Sequence, residues 1–210
     1  MRKIKTITVS HAYKPKFDHL VTHRERCGWK IVNPVTEQDG RYFVDMAIEQ
    51  HPIIYTSISG ILYPNDDKSQ SEAVDAYHAG KFTDIQFIPS AAKNLIALLD
   101  STSVKLKVHS MWRYRLYGET EQMRKLFLNN GFQPHHLHPE FFVPFKGRDG
   151  SKELDISFSL SDDALVNIVL DSRRLELPSA LVSYEVQSAL EGLSSGDIDV
   201  ILGLIDREVL

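Results

Sequence analysis

The sequence predicts an α+β protein: a mixed, mainly antiparallel sheet with flanking helices, followed by a C-terminal extension of strands and helices. Three observations predict it. Residues 29–32 and 41–48 flank the turn-rich stretch NPVTEQDG and read as two antiparallel strands. Residues 82–109 read as strand, helix, strand. Residues 141–145 and 154–160 flank the turn KGRDGSKE and read as a hairpin.

In chain order, residues 4–10 (IKTITVS) alternate as a β-branched strand. Phe17, Leu20, Val21 and Arg24 then fall at helical spacing, and Gly28 is the stop. The dipeptide His51-Pro52 ends the strand begun at Arg41, and a third run, IIYTSISGILY, follows. After the polar loop NDDKSQS, a short helix spans residues 72–78. FTDIQFI (residues 82–88) reads as a strand, Ser90 as the cap of the helix AAKNLIALLD, and Val104, Leu106 and Val108 alternate with Lys105, Lys107 and His109. A helix from Glu119 places Met123, Leu126 and Phe127 on one face and stops at Asn130-Gly131. Beyond Leu160, ALVNIVL and RRLELP read as strands, and residues 179–190 and 197–210 as helices. The last helix carries a stripe of Ile198, Ile201, Leu202, Ile205 and Val209, which must be buried on its own domain or on a partner. Residues 1–160 are thus expected to form the main domain and residues 161–210 the extension.

Hydrophobic residues make up 42% of the 210, enough to bury one sizeable core. Charged residues make up 25% with a formal net charge of -4, an ordinary solvated surface that gives nucleic acid no global support. Cys27 is the lone cysteine and cannot form an internal disulfide. The basic start lacks an apolar run of signal-peptide length, being interrupted by His11, Lys14 and Lys16. No stretch reaches the ~18–20 apolar residues that a membrane span needs. The expectation is a cytoplasmic protein without membrane association; a virus-encoded protein made in the cytoplasm would carry the same pattern.

Residues 82–160 resemble the C-terminal half of the GNAT (N-acetyltransferase) superfamily in element order, and MRKLFLNNGF (residues 123–132) resembles its helix ending in Gly-Phe. The resemblance implies that acetyl coenzyme A, or another acyl coenzyme A, sits between two splayed parallel strands, its pyrophosphate on backbone N–H groups at the start of the intervening helix. That places the cofactor at Ile88, Ser90, Ala91, Ala92 and Lys93, where this chain reads IPSAAKN without the glycines of the family loop. The family's usual proton-donating tyrosine is replaced by Phe127, so Tyr114 or Tyr117 is expected to take that role, with Asp84 as general base. The expected reaction is acyl transfer to an amine, polarised by a backbone N–H.

Other patterns carry chemistry less specifically. His135, His136 and His138 form the densest histidine cluster but lack identifiable further ligands, and His19 and His23 lack the acid of a HExxH motif. Residues 110–117 interleave Trp112, Arg113, Tyr114, Arg115 and Tyr117, a composition that can stack bases. The leading expectation is therefore a GNAT-like acyltransferase, or a relative that has lost the reaction. The first alternative is a structural or adaptor protein that joins a protein partner, or its own copies, through residues 179–210. The second is a nucleic-acid-associated protein acting through residues 112–117.

Overall fold

The computed structural model describes residues 3–116, 119–145, 151–161 and 163–209. The chain divides into two units, Met1–His51 with Ser161–Leu165, and Pro52–Leu160 with Val166–Leu210.

In the first unit, strand β1 (Lys3–His11) leads into helix α1 (Lys14–Arg26), followed by short strands β2 (Lys30–Ile31) and β3 (Thr36–Gln38). All three strands pair antiparallel with β4 (Arg41–Thr56), β1 in a continuous register from Lys3↔Gln50 to His11↔Tyr42. The turn between β3 and β4 is Asp39-Gly40, both residues at positive φ, as a two-residue hairpin turn requires. Phe17 and Val21 of α1 are buried with Val9, Trp29, Val44, Met46 and Ile48. The expected strand–helix–antiparallel opening is therefore present.

His51-Pro52 does not end the strand as expected. The chain changes partners there: Gln50 is opposite Lys3, whereas Ile53 is opposite Lys105 of strand β5 (Lys105–Val108). A proline without an N–H is tolerated at such a changeover.

From Pro52 onward the architecture is α/β, which corrects the expected, mainly antiparallel α+β sheet. The strands run in the order β6 (Leu137–Phe142), β5, β4, β7 (Ala164–Asp171), β8 (Val182–Glu185). The pairs β4/β5, β5/β6 and β7/β8 are all parallel. Helices α2 (Asp67–His78), α3 (Pro89–Ser101), α4 (Trp112–Arg115), α5 (Thr120–Asn129), α6 (Lys152–Ser157) and α7 (Ser195–Val209) accompany them. Numbered within this unit the strand order is 3-2-1-4-5, the pattern of a doubly wound sheet. Of the α7 stripe, Ile201 and Ile205 belong to this unit's own core and Ile198 and Leu202 pack against it, while the Val209 side chain lies outside the described residues.

Four segments differ from their sequence reading. FTDIQFI alternates because Phe82, Ile85 and Phe87 are buried, yet it forms a 3₁₀ turn (Phe82–Asp84) and an extended segment without a strand partner among the described residues. Side chains stand in for the missing ladder: Asn130 accepts from the Phe87 N–H at 2.7 Å and donates to the Ile85 carbonyl at 2.9 Å, and Asn129 donates to the Thr83 carbonyl at 2.8 Å. The expected strand 154–160 is α6 and its following turn, because Ser151 caps the helix by accepting from the Leu154 N–H and Glu153 and Asp155 occupy its first turn. The expected helix over 179–190 instead contains β8, and RRLELP is not a strand.

Asn130→Ala removes three hydrogen bonds to backbone groups, at Phe87, Ile85 and Leu126. At about 1 kcal/mol each, urea denaturation should show a loss of roughly 2–3 kcal/mol with an unchanged m-value.

Candidate functional site

A polar residue followed by serine marks the end of three central strands: Thr56 closes β4 and precedes Ser57, Asp171 closes β7 and precedes Ser172, and His109-Ser110 directly follows β5. In a doubly wound sheet ligands bind outside the carboxyl ends of the strands where the strand order reverses, and here that reversal falls between β4 and β7. The two strand ends are adjacent, since the Ser57 N–H donates to the Leu170 carbonyl at 3.1 Å. The loops beyond them also close tightly. Gly60 has φ +79°, and a Cβ there would lie 2.3 Å from the Ser172 Cβ.

Four side chains meet at this place: Ser57, His109, Lys152 and Asp171, all buried. The Lys152 Nζ lies 2.6 Å from the Asp171 Oδ2 and donates to the Ser57 Oγ at 3.4 Å. Lys152 is the first residue of α6, so the Ser151 cap aims it at the strand ends. With its amine engaged by a carboxylate, Lys152 offers Ser57 a hydrogen bond rather than a base.

His109 is fully buried, and its Nε2 lies 3.1 Å from the Leu170 carbonyl. A carbonyl only accepts, so Nε2 carries the proton and Nδ1 the lone pair. Burial first, then the positive Lys152 and Arg113, holds the imidazole well below the usual histidine range. The ring is therefore neutral, and its 3.9 Å approach to Asp171 is not an ion pair. Nδ1 is buried without a hydrogen-bond partner among the described residues.

A second buried pair supports the first. Arg113 donates to the Asp155 Oδ2 at 2.6 Å, to the Val143 carbonyl at 2.7 Å and to the Ser110 carbonyl at 3.1 Å. Three of its five N–H donors are engaged in this framework. Trp112 is buried as well, its indole N–H on the Ser59 Oγ at 3.0 Å. The basic–aromatic segment thus turns its first two residues inward.

The residues expected at an acyl-coenzyme A site do not converge. Asp84 is exposed at the end of the 3₁₀ turn. Tyr114 donates to the Asp155 Oδ2 at 2.6 Å, and burial followed by that bond pushes its hydroxyl up to about 12, a poor proton donor at neutral pH. Tyr117 lies outside the described residues. Ile88 and Ser90 line a groove of about 450 Å³ together with Asn94 and Glu191, whereas Ala92 and Lys93 line a different one of about 520 Å³. Ala91 is buried in the core, and the helix begins at Pro89 without a side-chain cap, Ser90 lying inside its first turn. With residues 82–88 outside any sheet, the splayed strand pair that would hold coenzyme A is missing there.

Asp100, His135 and His136 bring ligand-type atoms within 4.8 Å of one another. The His136 Nδ1 accepts from the Gln133 N–H at 3.1 Å, so its Nε2 is protonated and donates to the Asp100 Oδ1 at 2.8 Å. His136 thus ties the turn at Gln133 to Asp100 near the end of α3, with no lone pair free on its neutral ring. Among the described residues no helix is long and apolar enough to cross a membrane.

No protein-family model matches the chain, and no curated protein or solved structure matches it either.

Two measurements test this geometry. An unfolded histidine takes up a proton near pH 6.5 while His109, held lower, does not, so the unfolded state gains as pH falls and stability should decline below about pH 6.5. The slope from this one group approaches ~1.4 kcal/mol per pH unit, and His109→Gln should flatten it in denaturation midpoints measured between pH 5 and 8. Lys152→Met strands the Asp171 charge and should cost roughly 3–5 kcal/mol, most of it recovered by adding Asp171→Leu.

Proposed function

We propose that the α/β unit is a small-molecule-binding domain whose ligand sits at the carboxyl edge of the sheet, beside Ser57, His109, Lys152 and Asp171. One observation carries this: a fully buried imidazole nitrogen that lacks a partner among the described residues, at the place where doubly wound sheets bind ligands. Leaving such an atom unmet costs about 1–3 kcal/mol, and a ligand group removes that cost. The polar residues after β4, β5 and β7 supply the few convergent groups that a binding site uses for orientation.

A fragment screen by two-dimensional NMR on the full chain tests the proposal. Bound fragments should perturb the backbone amides of Ser57, His109 and Asp171 before others. Hits that map only to the grooves at Ser90 or Asp100, or a screen that leaves those three amides still, would sink it.

A further inference from the structure

The chemistry of the four groups narrows what can bind, provided that the proposed site takes a ligand at all. Charge comes first. Lys152 and Arg113 are matched by Asp171 and Asp155, each pair at 2.6 Å, so among the described residues the buried cluster is balanced. At its rim Arg173 likewise faces Glu153 at 3.8 Å. An anion or cation entering here would lose its hydration without gaining an unmatched counter-charge.

Hydrogen bonding comes second. A neutral imidazole has one donor and one acceptor, and His109 has spent its donor on the Leu170 carbonyl. The remaining Nδ1 can only accept. It lies 3.9 Å from the Asp171 Oδ2, a second acceptor, so a donor placed between them can serve both. The groups facing His109 are Lys152 from α6, Arg113 from α4 and Asp171 from β7. Burial first, then the two cations, disfavours a positive charge on the ring, which keeps this nitrogen an acceptor through neutral pH.

The geometry points to a neutral ligand that presents an N–H group to His109 Nδ1, of the primary amide or amino-heterocycle class, with His109 as the specificity-determining residue. A site whose buried acceptor needs a donor rejects the analogue that lacks one far more strongly than an apolar pocket rejects a missing methylene.

The test uses the full chain and matched probes: benzamide against benzoate and N,N-dimethylbenzamide, nicotinamide against nicotinate, and cytosine against its N4-dimethyl derivative. Affinities come from NMR titration of the Ser57, His109 and Asp171 amides between pH 6 and 8. The expected result is binding of at least one donor-bearing probe, tenfold or more tighter than its carboxylate or dimethyl counterpart and level across that pH range. His109→Phe should reduce that preference to within about twofold, and His109→Gln, which restores an acceptor oxygen, should recover part of it. Equal binding of the carboxylates, or a preference that survives in His109→Phe, overturns the assignment of His109 and leaves the site standing. Should every probe leave those amides unmoved, the site and the ligand class fall together. If both variants fail to fold, the matched probes on the unaltered chain decide alone.

Discussion

A carboxylate at the end of a buried parallel strand cannot shed its charge into water, and Asp171 is such a group. Its partner Lys152 comes from α6, so the helix must dock for the strand end to be tolerated. Docking α6 brings in Asp155, whose charge is met in turn by Arg113 of α4. Arg113 also holds the carbonyl of Val143, just beyond β6. One obligatory neutralisation at the sheet edge thereby orders two helices and two strand ends.

Such pairs add little net stability compared with apolar residues of equal volume, because desolvation offsets their attraction. Their effect is geometric. Each buried charge has a position set by a partner from another element, and the close approach of Gly60 to Ser172 leaves the neighbouring loops little freedom. Within that frame the His109 ring is oriented from one side by the Leu170 carbonyl, while its other nitrogen faces the cluster. Pre-organisation of this kind is what lets a few polar groups discriminate between ligands.

Much of this was legible in the residues, and the failures share a cause. Amphipathic helices announce themselves by spacing, and the stripe of α7 and the faces of α1 and α5 follow the sequence periodicity. Alternation proved ambiguous. It marked β1 correctly, but in FTDIQFI it recorded burial alone, with Asn130 supplying the hydrogen bonds that a neighbouring strand would have given. A side-chain amide 45 residues away leaves no local trace. The site was missed for a related reason: Lys152 reads as part of a polar turn, and only the fold carries it to Asp171. A usable signal was nonetheless present in the repeated polar-serine endings at Ser57, Ser110 and Ser172, which acquire meaning once the strands are recognised as parallel.

The first unit begins at the amino terminus yet includes Ser161–Leu165, so that the Gln50 side chain donates to the carbonyl of Ala164, 114 residues onward. At translation rates of about 5–20 residues per second, that partner is made roughly 6–23 s after Gln50. The amino-terminal strands and their helix must therefore wait on the ribosome with one border open, while the chain between the two halves of the unit is still being made.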